Sequence, residues 1–155
     1  MTYDFSKVAP READPDGLNA QFYDHASGGI LHLQRCTECG LRQHPPRHRC
    51  RSCFSERVEW VPSDGVGTLY SWTVTHFPFD RGWAPALPYW TGVIELPDGI
   101  RLVGAMDGED WARLDMPVRV VVVVRGDGMP MLSIVPVPED RSEDSSGTQG
   151  HPRSR

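Results

Sequence analysis

All four cysteines of this 155-residue chain fall within eighteen residues, as Cys36, Cys39, Cys50 and Cys53 in "CTECGLRQHPPRHRCRSC". Each pair has the form C-x-x-C, a gap that lets a tight knuckle aim two thiolates at one tetrahedral centre, and two facing knuckles complete four-coordinate zinc. The ten residues between Cys39 and Cys50 are enough to fold back. Gly40 follows the first knuckle where a positive φ is favoured, whereas the second has Phe54 there and is expected to turn less tightly. Two disulfides would need an oxidising compartment. A redox C-x-x-C would need a single motif in a βαβ setting. Iron would accept the same four sulfurs. A catalytic zinc would need an open position, which four cysteines fill, so the site is structural. His32, His44 and His48 lie close by as spectators, with His48 the one candidate for a swapped ligand.

Around the cysteines, Arg35, Arg42, Arg47, Arg49, Arg51 and Arg57 face only Glu38, Glu56 and Glu59, a local balance of +3. Four thiolates and one dication carry −2, so part of this cluster neutralises the site. The whole chain is acidic, at −5, with Lys7 its one lysine. That balance argues against nucleic acid, which wants a strongly basic face. Tyr70, Trp72, Tyr89 and Trp90 would serve for stacking, but the segments that carry them have no lysine or arginine.

The flanking sequence predicts a mainly β chain. Residues 1–14 read as a flexible arm. A helix is expected over 15–29, with Leu18, Phe22 and Tyr23 on one face, Asp14 or Asp16 as cap, and Gly28-Gly29 as stop. Residues 30–61 form the zinc ribbon, entered by "ILHLQRC" and left by "VEWV". Residues 62–138 hold five strand patterns, at 68–77, 89–96, 100–106, 118–124 and 131–137, with one or two helical turns at 108–114. That order fits a five-stranded OB-fold barrel. The tail 139–155 has no apolar residue and reads as disordered. The five valines Val120 to Val124 are expected to be buried on both faces, under the helix, the ribbon or a partner, with Arg119 and Arg125 as charged gatekeepers. The loop 78–88 carries Phe79 and Trp83 among prolines, either for binding or to plug the barrel end. No apolar run approaches the roughly 20 residues of a membrane span, and the N-terminus has no signal-peptide pattern. The cytoplasm is the expected compartment.

The helix with "NAQFYDH", then the paired knuckles around Pro-Pro-Arg, then Gly-x-Gly-x-x-Tyr-Ser at 65–71 and Pro-Tyr at 88–89 occur in an order that resembles the DUF35 family. The resemblance runs from about residue 18 to residue 137. It implies a rubredoxin-like zinc ribbon followed by an OB-fold, in a stand-alone form that works beside a thiolase-fold enzyme. Such a subunit stabilises its partner and helps form the CoA-substrate channel. The implied reaction is retro-aldol cleavage of a steroid side-chain CoA thioester, in a 2+2 heterotetramer. A thiolase, an acyltransferase or a MaoC-like enoyl-CoA hydratase are the alternative partners. No catalytic residue is expected in this chain: the thiols are metal ligands, no serine sits in a nucleophile elbow, and Asp107, Glu109 and Asp110 read as a solvated helix start. Arg42, Arg47, Arg49 and Arg51 are the candidates for gripping CoA phosphates. His76, Phe77, Phe79, Trp83, Tyr89 and Trp90 are the candidates for the channel or a partner contact.

Overall fold

The computed structural model describes residues 17–78, 81–108, 110–124 and 128–138. The arm, the Asp14 and Asp16 caps, Phe79, Glu109, Arg125 and the tail therefore lie outside the described residues. Helix α1 (Leu18–Ala26) starts at Gly17, which makes no side-chain cap bond. It buries Phe22 and Ala26, one turn apart, and leaves Tyr23 edge-on to the Phe22 ring. The helix ends where the Ser27 hydroxyl donates to the Asp24 carbonyl at 2.6 Å and Gly29 turns at φ 79°.

Strand β1 (His32–Cys36) sits between β2 (Arg42–Gln43) and β3 (Val58–Pro62) in the ribbon sheet. Five further strands close a barrel: β4 (Val66–Thr75), β5 (Tyr89–Glu95), β6 (Arg101–Met106), β7 (Pro117–Val124) and β8 (Pro130–Pro136). Their order is β4-β5-β6-β8-β7, antiparallel except where β6 runs parallel to β8. The strand patterns and the OB-type closure are thus as the sequence implies. Between β6 and β7 the described residues make turns in place of the expected helical turns, and Trp111, Ala112 and Met116 pack on the core.

One buried cluster runs through both halves, from Phe22, Leu31 and Leu33 of the helix and ribbon to Leu69, Ile94, Leu102, Val118 and Ile134 of the barrel. Gly65 makes the junction, at φ 68°, with its carbonyl accepting from Val120 at 2.9 Å. A Cβ there would stand 2.5 Å from the Val120 carbonyl oxygen. Inside the barrel, Gly92 and Gly104 are buried against Met106, Ile134 and Leu132. The Arg42 Nε donates to Asp98 at 2.6 Å, tying β2 to the turn between β5 and β6.

The valine run is buried at its start and open at its end. Val120 is buried, but Val123 and Val124 are 43% and 46% exposed. β7 pairs with β4 only as far as Arg119, so beyond that residue it has β8 alone beside it. Helix α1 packs against β1 rather than over these valines. Val122 and Leu132 still pack against the core, and the run opens to the surface only at Val123 and Val124.

Candidate metal centre and its surroundings

Both knuckles are built the same way. The Gly40 N–H donates to the Cys36 carbonyl at 2.9 Å, and the Phe54 N–H donates to the Cys50 carbonyl at 3.1 Å. Gly40 has φ 75° and Phe54 has φ 60°, so the second knuckle turns as tightly as the first despite its side chain. This corrects the sequence expectation: the hydrogen bond back to Cys50 holds Phe54 in the left-handed region that glycine would occupy at lower cost.

The four Sγ atoms lie within 4.8 Å of one another, the single such group of three or more metal-ligating side chains among the described residues. Across the knuckles, Cys36 and Cys53 are 3.5 Å apart and Cys39 and Cys50 are 3.6 Å apart. Four sulfurs about 2.3 Å from one ion would be spaced about 3.8 Å apart, so the cage fits a tetrahedral dication. Electrostatics agree. Backbone N–H groups of Cys53 and Ser52 hold the Cys50 thiol down to about 6. Cys53 is pushed up to about 12; the Ser55 N–H favours its thiolate, but desolvation and the sulfurs of Cys36, Cys39 and Cys50 outweigh that. Sulfurs that oppose one another's ionisation are reconciled by a cation between them. Cys36 and Cys50 are buried while Cys39 and Cys53 are exposed. With four sulfurs on the ion, no position remains for substrate, and the centre can organise the fold but not activate water.

The support behind the cage is a pair of glutamines that sequence reasoning misses. The Gln43 Nε2 donates to the Gln34 Oε1 at 3.0 Å and to the Arg49 carbonyl at 3.2 Å. The Gln34 Oε1 also accepts from the Arg47 N–H at 2.7 Å, and the Gln43 Oε1 from the Arg51 N–H at 3.0 Å. Both side chains are buried. They hold the Pro-Pro loop closed and so set the second knuckle against the first. The one available signal is their place on β1 and β2 beside the cysteines. His44 is half-buried against Phe22, and burial pushes its imidazole down to about 4. His32 leans on His25 and its Nδ1 is 3.1 Å from the Ile30 carbonyl; neither histidine joins the cage, as expected.

The arginines divide. Arg35 pairs with Glu59, Arg49 with Glu56 and Arg57 with Glu38, each at 2.6 to 2.7 Å. Arg42 is held by Asp98 at 2.6 Å. Arg47 and Arg51 contribute their backbone N–H groups to the glutamines while their side chains stay exposed. The four CoA-phosphate candidates are therefore not one free cluster. A groove of about 560 Å³ opens between Cys39, Arg35, Ser52 and the Arg42–Asp98 pair. At the other candidate region, residues Arg81–Ala86 form a 3-10 helix, and the Trp83 and Tyr89 rings lie 5.1 Å apart. Trp83, Tyr89 and Trp90 are half-buried, His76 is exposed, and Phe77 is 87% exposed.

Comparison with known proteins follows the same division of the chain. The family described as "ChsH2, rubredoxin-like zinc ribbon domain" matches residues 28–59, and "ChsH2, C-terminal OB-fold domain" matches residues 60–123. The chain is 32% identical over 124 residues to the 3-oxo-4,17-pregnadiene-20-carboxyl-CoA hydratase alpha subunit of Mycobacterium tuberculosis, across 74% of this chain. It is 35% identical over 125 residues to the benzoylsuccinyl-CoA thiolase subunit BbsA of Thauera aromatica, covering 77% of this chain and 82% of BbsA. It spans 39% of the Mycobacterium hydratase subunit and 31% of a probable enoyl-CoA hydratase alpha subunit of Thermomonospora curvata. Among solved structures, one chain of the Ltp2-ChsH2(DUF35) aldolase is 30% identical with a TM-score of 0.70, over 81% of this chain and 98% of that one. A knuckle pair, a closed barrel and their order along the chain all agree, and the chain belongs to the DUF35 family of zinc-ribbon and OB-fold proteins.

Proposed function

We propose that this chain is a non-catalytic accessory subunit of a thiolase-fold acyl-CoA enzyme, serving an aldolase that cleaves a steroid side-chain CoA thioester by a retro-aldol step. The observation that carries this reading is the likeness to one chain of the Ltp2-ChsH2(DUF35) aldolase, which extends over 98% of that chain. The chemistry of the site supports it. The described residues bring together one cage of four sulfurs and no nucleophile paired with a base, so bond cleavage belongs to the partner. Zinc on Cys36, Cys39, Cys50 and Cys53 contributes folding free energy to the ribbon. His76, Phe77, Trp83, Tyr89 and Trp90 form the region offered to a partner or to the CoA-substrate channel, and Arg47 and Arg51 are the arginines of the cluster left available to an anion. The assembly is a 2+2 heterotetramer in the cytoplasm.

BbsA, a thiolase subunit matched over 82% of its length, favours a second reading, in which the partner makes or breaks a thiolase-type bond. Co-expression with a thiolase-fold protein, sought first among the products of neighbouring genes, should give one complex on a sizing column, and its reaction on steroid and aromatic acyl-CoA substrates separates the two readings. Separate elution at micromolar concentration would end both. The isolated chain is expected to bind CoA weakly or not at all by calorimetry, because a shared tunnel needs both walls.

A further inference from the structure

Gln43 meets the second knuckle at a single ligand. Its Nε2 donates to the Arg49 carbonyl at 3.2 Å and its Oε1 accepts from the Arg51 N–H at 3.0 Å, so one side chain holds the backbone on both sides of Cys50. Gln34 stands opposite Gln43 in the pairing of β1 with β2, two residues before Cys36. Its Oε1 takes the Gln43 Nε2 at 3.0 Å and the Arg47 N–H at 2.7 Å. Residues 44–57 lie outside any strand, so no sheet ladder sets the second knuckle against the first. The exit of that knuckle is tied where the Thr37 N–H donates to the Arg57 carbonyl at 3.0 Å. Its entrance, at Cys50, is tied by the two amides.

These bonds are stiff because they are dry. Gln34 and Gln43 are 2% and 1% exposed, so a contact stretched here gains no water in exchange. Across the knuckles the sulfurs stand 3.5 and 3.6 Å apart, slightly inside the spacing of about 3.8 Å that zinc–sulfur bonds of about 2.3 Å require. Soft divalent ions all accept four thiolates, so the dimensions of a cage are its means of choosing among them. An ion with longer bonds to sulfur would drive Cys50 away from Cys36 and Cys39. It would also draw Arg49 and Arg51 off the Gln43 amide.

We propose that Gln34 and Gln43 are metal-specificity residues, a buried amide clamp that fixes the aperture of the cysteine cage and favours zinc against larger thiophilic cations such as cadmium. They touch no ion; they act through Cys50 as positioning residues, in the way outer partners orient the ligands of a metal. This goes beyond the accessory-subunit reading and does not depend on it.

The test measures zinc and cadmium affinity of the full-length chain by competition with a chelator, one metal at a time. Gln43→Leu should still fold in excess zinc, bind zinc about 10–100-fold more weakly, and lower the ratio of zinc to cadmium affinity at least about threefold. Gln34→Leu keeps both bonds around Cys50 and should move that ratio in the same direction by less. Leu102→Ala, a cavity in the barrel core where Leu102 is fully buried, supplies the control: it should lower Tm while leaving the ratio as in wild type. A general loosening of the chain weakens both metals together, so an unchanged ratio in Gln43→Leu would overturn the clamp as a specificity device. A shift of equal size in Leu102→Ala would overturn it too. Should Gln43→Leu fold with neither metal, Gln34→Leu decides, and a wild-type ratio there sinks the proposal.

Discussion

Gln34 and Gln43 show how much a buried amide can carry. Together they satisfy two backbone N–H groups and one carbonyl of the loop between the knuckles. Gln34→Ala removes one of the two acceptors of the Gln43 amide and the side-chain acceptor of the Arg47 N–H, and is expected to cost about 2–3 kcal/mol in urea unfolding of the zinc-loaded chain. Cys50→Ser acts more drastically: the metal content should fall to near zero and the ribbon should unfold, because ion binding and folding are one equilibrium here. His44 sets a pH dependence. Its imidazole titrates near 6.5 unfolded and about 4 folded, so between those values the unfolded chain takes up a proton that the folded chain refuses. Stability should therefore be full above about pH 6.5 and decline as pH falls towards 4. The difference in unfolding free energy between wild type and His44→Leu isolates this slope from acid release of zinc. A difference constant from pH 7 to pH 4.5 would exclude it. The cysteine cage is legible in the sequence because its spacing is a local geometric requirement. The glutamines are not, because alternation along β1 assigns Gln34 to solvent, and only the return of the loop onto β1 buries it.

At the level of elements, each barrel strand announces itself through β-branched and aromatic alternation, and each bend through glycine. The ends of the valine run do not, because pattern registers hydrophobicity but not how far a neighbouring strand extends. Burial of Val123 and Val124 would need β4 to continue alongside β7, and its pairing stops at Arg119. Gly65, which makes that junction, should not tolerate a side chain. Gly65→Ala places a Cβ against the Val120 carbonyl in a left-handed conformation, and a loss of about 2–4 kcal/mol is expected by denaturant titration. The ribbon-to-barrel pair Arg42–Asp98 is a weaker tie, since both side chains are about 30% exposed. A double-mutant cycle should give a coupling of about 1 kcal/mol or less.

The molecule as a whole has one core. Leu31 and Leu33 of the ribbon share their buried cluster with the barrel residues, so the two lobes are expected to unfold together. Melting followed by tryptophan fluorescence and by far-ultraviolet circular dichroism should give one midpoint, lowered by a chelator with both probes still coincident. A barrel that melts unchanged after zinc removal would separate the lobes. The interior of that barrel has a consequence for the route of any bound substrate. A single methyl group at Gly92 would come within 2.5 Å of the Met106 sulfur, and one at Gly104 within 3.0 Å of Ile134. A lumen packed this closely leaves no passage through the barrel, so if the proposed function holds, an acyl chain would have to lie against the outer wall.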